Sequence, residues 1–214
     1  GPDGRQATTP TEGCMPLHVT MTATGTNAVK YIWDFDDGHL VTTTTPTTDY
    51  TYPKEGIYYP RVILEDAKGC QVPALGNDTI VADKVTARFT MDNAAACDSG
   101  FIYFTDNSGS VTLDQLGQAM TYQWDFGVPG RTDDVGTGRN PRFFYTSTGT
   151  YPVHLLVTSS LGCTDTITLP AIVSPQPEPE ILPLTPLCAG GQVQLQGREN
   201  KQLAGTKWQW RVGL

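Results

Sequence analysis

The chain has 214 residues, a formal net charge of −8, 22 glycines, 16 prolines and 38% hydrophobic residues. The acidic balance argues against nucleic acid and anionic membrane surfaces, both of which attract a basic face, and no apolar run approaches the ~20 residues of a membrane span. The length suits two β-sandwich domains better than one compact unit, and frequent aromatic and β-branched residues without a sustained helical period make the class all-β.

No signal peptide is visible, and Gly1-Pro2 has the form of a scar from a cleaved purification tag, which would mean the natural N-terminus has been cut away. Residues 1–11 read as an N-terminal tail. A first unit over residues 12–83 carries expected strands at Leu17–Ala23, Lys30–Phe35, Thr48–Tyr52, Tyr58–Glu65 and Asp78–Ala82. Its organising stretch is Tyr31-Ile32-Trp33-Asp34-Phe35-Asp36-Asp37-Gly38. Alternation puts Tyr31, Trp33 and Phe35 on one strand face, and Asp-Asp-Gly is turn chemistry with short acceptors and a residue free to take positive φ.

The pattern recurs. Tyr122-Gln123-Trp124-Asp125-Phe126-Gly127 repeats it, and Lys207-Trp208-Gln209-Trp210-Arg211-Val212-Gly213 does so more loosely. Tyr52-x3-Gly56-x-Tyr58 returns as Tyr145-x3-Gly149-x-Tyr151, and Gly56 to Cys70 and Gly149 to Cys163 are each 14 residues. A second unit over residues 84–174 therefore has expected strands at Val85–Met91, Phe101–Thr105, Thr121–Phe126, Pro152–Thr158 and Thr166–Val173. It is longer by eight residues between its first cysteine and its Trp, around Thr112–Met120, which suits one helical turn or a longer loop. The junction Val81-Ala82-Asp83-Lys84-Val85 lacks Gly and Pro and reads as short and stiff. Residues 175–214 hold a Pro-alternating spacer, Ser174 to Glu180, in extended polyproline geometry, then the start of a third repeat.

That third unit begins with Ile181-Leu182-Pro183-Leu184, Cys188 and an alternating Gln192–Gly197, and reaches Trp210 without the Tyr-x3-Gly-x-Tyr run. It reads as an incomplete repeat, with the natural chain continuing past Leu214. There are five cysteines. Repeat phase pairs Cys14 with Cys70 and Cys97 with Cys163, leaving Cys188 over. Reduced, buried cysteines are the alternative, and a metal site is disfavoured because no two cysteines lie within a turn of each other. Oxidised pairs would place the chain outside the cytoplasm.

With the Trp-Asp-Phe strand and turn, the Tyr-x3-Gly-x-Tyr run and the closing Gly-Cys in place, both complete units resemble PKD domains, Ig-like sandwiches marked by a W-D-F-G-D-G strand and turn. The fold expected is thus tandem Ig-like (PKD-type) β-sandwiches with an incomplete third domain. Asp36 departs from the family's Gly, and the second unit continues as Val128-Pro129-Gly130. The cysteine-bearing form resembles modules strung together in very long surface and secreted proteins of gliding, type IX-secreting bacteria. That resemblance implies a non-catalytic extracellular rod, adhesin- or appendage-like, whose partners are other repeats of the same chain and a surface protein or polysaccharide. The rival is an accessory region of a secreted hydrolase. Asp78-Thr79-Ile80 and Asp165-Thr166-Ile167 fit the short O-glycosylation signal such bacteria use, at Thr79 and Thr166; Asn77-Asp78-Thr79 is a lone N-glycosylation sequon.

Other candidates are weighed on residues. Asp34, Asp36 and Asp37 are oxygen ligands clustered as calcium requires, or alternatively turn caps bonded to backbone and Tyr hydroxyls. Only Asp125 survives in the second unit, with Asp133 and Asp134 farther on. His18, His39 and His154 are isolated, and no nucleophile, zinc, phosphate or dinucleotide motif is present, so no catalytic residue and no cofactor are expected. Trp33, Phe35, Tyr58, Trp124, Phe126 and Tyr151 form the expected core motif. Tyr58-Tyr59 and Phe143-Phe144-Tyr145 must each turn an aromatic outward, towards a rim contact, an inter-domain contact or a sugar.

Overall fold

The computed structural model describes residues 3–74, 79–92, 97–183, 194–201 and 207–211. Its first domain runs β1 (Asp3–Thr9), β2 (Glu12–Cys14), β3 (Leu17–Thr26), β4 (Ala28–Asp34), β5 (Leu40–Thr43), β6 (Thr47–Tyr52), β7 (Gly56–Tyr58), β8 (Arg61–Asp66), β9 (Gln71–Pro73) and β10 (Ile80–Asp83). The second has β11 (Phe89–Asp92), β12 (Gly100–Asp106), α1 (Val111–Leu116), β13 (Thr121–Asp125), β14 (Val135–Gly136), β15 (Arg142–Tyr145), β16 (Gly149–Thr158) and β17 (Thr164–Val173). β18 (Pro179–Ile181) and β19 (Gly197–Glu199) follow as an antiparallel pair.

Each domain packs a three-stranded sheet on a four-stranded one. The first domain sets β1-β3-β6 against β5-β4-β8-β9, and the second sets β11-β12-β15 against β14-β13-β16-β17. Period-two alternation fixes which face turns inward: Leu17, Val19, Met21 and Ala23 of β3 are buried while His18 is exposed. Trp33 and Trp124 are at most 2% exposed and sit in two separate cores, one per domain. Their indole N–H groups stay satisfied, Trp33 donating to Thr43 Oγ1 at 2.9 Å and Trp124 to Gly138 O at 2.8 Å.

The repeated tyrosines tie the strands to their turns. Tyr52 and Tyr145 hydroxyls donate to the carbonyls of Phe35 and Phe126 at 3.1 and 2.9 Å. Tyr58 and Tyr151 reach back to Lys54 O and Ser147 O at 2.9 and 2.7 Å. A Cβ on Gly56 or Gly149 would meet those rings at 3.2 and 3.3 Å, so the glycine of Tyr-x3-Gly-x-Tyr clears space for the ring folding over it.

Several expectations need correction. Residues 1–11 are not a tail: β1 pairs along its whole length with β3, from Asp3 opposite Thr26 to Thr9 opposite Thr20. Its inward residues are Gln6 and Thr8, both buried, and Gln6 Nε2 donates to Pro60 O at 3.0 Å. An inward face made of amide and hydroxyl groups leaves no apolar alternation to read. The strand expected over Tyr58–Glu65 is interrupted at Tyr59-Pro60, where the chain changes sheets, β7 pairing with β10 and β8 with β4, whereas its counterpart β16 runs unbroken through Pro152. Only Phe89–Asp92 of the stretch from Val85 is regular strand, although Val85 and Ala87 are buried.

The extra residues of the second unit form α1. Ser110 Oγ caps it by accepting the Leu113 N–H at 3.1 Å, and Gly117 at φ 66° ends it. In the tail, residues 207–211 carry no strand, and Trp208 and Trp210 stack at 6.1 Å while each remains about two-fifths exposed. Cys188, Val193, Val212, Asn77 and Asp78 lie outside the described residues.

Candidate functional site

The acidic turn is a capped turn. Asp34 Oδ1 accepts the Asp36 N–H at 3.0 Å and its Oδ2 accepts Arg61 Nε at 2.9 Å. Asp36 Oδ2 accepts the Tyr59 N–H at 2.9 Å. Asp37 accepts the His39 N–H at 3.1 Å and the Tyr50 hydroxyl at 2.5 Å. The three carboxylates thus face three different donor sets. Among the described residues, no group of three or more His, Cys, Asp or Glu side chains is placed to hold a metal. Burial works to raise the Asp37 pKa, but the bonds from Tyr50 and His39 outweigh it and hold the carboxyl below the usual aspartate range.

The departure from Gly at Asp36 has a structural explanation. Asp36 lies at φ 63° and Gly127, its counterpart, at φ 73°, the left-handed region that Asp tolerates among the few non-glycine residues. The residue facing Asp36 is Tyr59, whose N–H it accepts. The residue facing Gly127 is Pro152, which has no N–H to offer. In the second turn Asp125 Oδ1 still accepts the Gly127 N–H at 2.8 Å, and buried Asp134 accepts the Val128 N–H at 2.7 Å in place of Asp37's capping role. Asp133 instead pairs with Arg131.

The expected disulfides are both overturned. Cys14 bonds Cys163 across the two domains, with Cα atoms 5.4 Å apart, and Cys70 and Cys97 are exposed free thiols. The reason is register. Cys14 lies opposite Asp83 in the parallel β2–β10 pair, at the end of the domain where Gly56 lies opposite Ala82. Cys70 sits in the hairpin beyond Asp66, ten residues farther along the β7–β8 run. At about 3.3 Å per residue that is ~30 Å, far beyond the roughly 7 Å a disulfide spans. The second domain separates Cys97 from Cys163 in the same way, along β16. The hairpin of the second domain therefore reaches the exit end of the first.

Around that link the junction is closed by hydrogen bonds. Asp83 is fully buried, and its carboxylate accepts Thr112 N–H at 3.2 Å and Thr112 Oγ1–H at 3.3 Å from the first turn of α1. The Met15 N–H donates to Asp83 O at 2.8 Å. A groove of about 660 Å³ beside the disulfide is lined by Met15, Pro53, Lys84 and Asp165 among others, and Asp165 is itself engaged by the Ala87 N–H at 2.8 Å.

The exposed aromatics resolve into one cluster that the sequence partly anticipated. Phe143 packs on the core and Tyr145 is buried, but Phe144 is exposed and lies opposite Phe101 on β12, ring centroids 5.0 Å apart. Tyr103 adds a third exposed ring, and the Arg142 guanidinium lies 4.7 Å over the Phe101 face. The same positions in the first domain are His18, Thr20, Thr51 and Asp49, paired His18 with Thr51 and Thr20 with Asp49. Alternation on β12 was the available signal for Phe101 and Tyr103. Of the other candidates, Tyr58 stacks half-buried on Tyr52 at 4.3 Å while Tyr59 is exposed. Thr79 and Thr166 are exposed, and His154 Nδ1 contacts Thr168 Oγ1 at 2.9 Å.

Two all-β sandwiches with matching strand order, matching tyrosine bonds and matching acidic turns define a tandem Ig-like module. The family model of the PKD domain matches residues 3–82 and again 93–173, and the chain belongs to that family. Among solved structures, the PKD1 domain of Vibrio anguillarum Epp is 26% identical, over 44% of this chain and 96% of that one, at a TM-score of 0.35. Fibronectin(III)-like modules of Clostridium thermocellum CbhA are 14% identical over 79% of this chain and 94% of theirs, TM-score 0.34. A carbohydrate-binding module of the β-sandwich superfamily is 15% identical over 81% and 85%, TM-score 0.35. No helix among the described residues is long and apolar enough to cross a membrane.

Proposed function

We propose that the chain is a non-catalytic segment of an extracellular rod, in which PKD repeats space and present other parts of a long surface or secreted bacterial protein. The finer setting is an adhesin or appendage of the gliding, type IX-secreting kind. The observation that carries the reading is the junction: a disulfide and a buried, doubly bonded Asp83 fasten two domains that each possess a complete core of their own. Chemistry of catalysis needs convergent groups, whereas a spacer needs fixed angles between its modules. Small-angle scattering from the full chain should fit one arrangement of the two sandwiches at low and at high salt. Reduction combined with Asp83→Ala should broaden it into an ensemble. An oxidised wild-type chain that already scatters as two freely hinged beads overturns the reading.

The Phe101, Tyr103 and Phe144 cluster favours a second reading, an accessory region that engages a polysaccharide or a protein for a secreted hydrolase. Stacking on exposed rings suits sugar faces. Retention on insoluble polysaccharide that Phe101→Ala with Phe144→Ala abolishes would support it.

A further inference from the structure

We propose that Cys97 and Cys70 are the two open halves of a repeating cross-link. Cys97 would bond the hairpin cysteine of the PKD repeat that follows, and Cys70 the opening cysteine of the repeat that precedes.

The equivalence is residue by residue. Cys14 lies opposite Asp83 in parallel register, and Cys97 bridges Ser174 in parallel register. The residue after each cysteine donates its N–H to that same partner's carbonyl, Met15 to Asp83 at 2.8 Å and Asp98 to Ser174 at 2.8 Å. Cys97 therefore occupies, at the exit of the second domain, the place Cys14 occupies at the exit of the first. The hairpins match equally. Cys70 O accepts the Asp66 N–H at 3.0 Å and Asp66 O the Gly69 N–H at 3.0 Å, while Cys163 O accepts Ser159 N–H at 2.8 Å and Ser159 O accepts Gly162 N–H at 3.0 Å. The position of Cys70 is thus that of Cys163, one repeat earlier. Of the four sites two are joined, Cys14 with Cys163, and the two left exposed are those whose partners belong to other repeats. Neither can close within its own domain, because the ~30 Å strand run separates opening and hairpin cysteines.

The partner is accordingly another repeat of this type, offering an exposed thiol at the matching pole. Bond formation is a two-electron oxidation and uses a disulfide oxidant. The thiolate of one cysteine attacks the oxidant's disulfide and expels one thiolate. The second cysteine then attacks the mixed disulfide and expels the other. Two protein thiols and one oxidant disulfide become one protein disulfide and two reduced thiols.

This rests on the rod reading for its setting, but the two fail separately, since scattering reports the rod and thiol mapping the cross-link. Both cores lie within residues 17–173, so the test replaces residues 175–214 by a second copy of residues 84–174 placed directly after Ser174. After oxidation by glutathione disulfide, non-reducing peptide mapping should find Cys97 bonded to the hairpin cysteine of the added repeat. Cys97→Ser should leave that hairpin cysteine open to iodoacetamide. A mirror chain with a copy of residues 1–83 placed ahead of Gly1 should bond Cys70 to the copy's opening cysteine. A folded extended chain, by circular dichroism, in which Cys97 or Cys70 still alkylates, or pairs within its own repeat, overturns the proposal. Should one extension not fold, the other decides it.

Discussion

Replacing Gly127 by Ala tests the account of the acidic turn. Gly127 lies at φ 73°, and a Cβ there would sit 2.5 Å from the Pro152 carbonyl oxygen and 2.8 Å from its carbon. The left-handed conformation costs a non-glycine residue roughly 1–2 kcal/mol, and pushing a β16 carbonyl aside adds about 1–3 kcal/mol. The second domain should lose about 2–5 kcal/mol, which at roughly 4–8 °C per kcal/mol for a domain of this size lowers its thermal midpoint by ~10 °C or more. Calorimetry of the full oxidised chain reads this directly. Asp36 supplies the contrast. Asp36→Gly relieves the left-handed conformation while losing the bond to the Tyr59 N–H, and the two effects, each about 1 kcal/mol, nearly cancel. Asp36→Ala loses the bond without relief and should cost about 1 kcal/mol more than Asp36→Gly. A Gly127→Ala chain that melts within a degree or two of wild type, or equal losses for the two Asp36 variants, would refute the argument.

Trp33→Ala and Trp124→Ala should each destabilise their own domain by ~3–5 kcal/mol through the cavity left at a fully packed site, measured by urea unfolding. The depressed Asp37 pKa makes the first domain acid-sensitive: its contribution is present above the unfolded carboxyl pKa of about 4 and is lost as pH falls through the lower folded value. Tyr50→Phe removes one of the bonds that depress it, so an NMR titration of the Asp37 carboxyl should shift to higher pH; an unmoved titration would show that the Tyr50 bond does not set it.

The parts of the fold legible in the sequence were those written in side-chain alternation and in repeated spacing. Trp33 and Trp124 declared their strands because large aromatics alternate with polar residues, and the Tyr-x3-Gly-x-Tyr runs aligned the two domains without a gap. β1 was illegible because Gln6 and Thr8, not aliphatic residues, turn inward, and a polar inward face has no periodic apolar signal. The cysteines were phased correctly and paired wrongly. Fourteen residues from Gly56 to Cys70 hold β7, β8 and a turn, a length that already puts the hairpin at the pole opposite the opening cysteine. The aromatic cluster on β12 and β15 was half visible: Phe144 was singled out, but its partner Phe101 comes from a strand 43 residues away and only the register joins them.

The cross-domain disulfide also decides where tension would travel. A load applied through the strand ends outside Cys14 and Cys163 passes through one sulfur–sulfur bond, and the intervening chain is mechanically short-circuited. The separation is 149 residues, so at about 3.4 Å per residue some 500 Å of contour length is withheld from extension. Pulled end to end, the oxidised molecule should peel β1 and β2 from one end and the tail and β17 from the other and then stop, with the strands that carry Trp33 and Trp124 still held inside the loop. Only a reductant gives that length back, which makes the two sandwiches an inextensible link whose slack is under chemical rather than mechanical control.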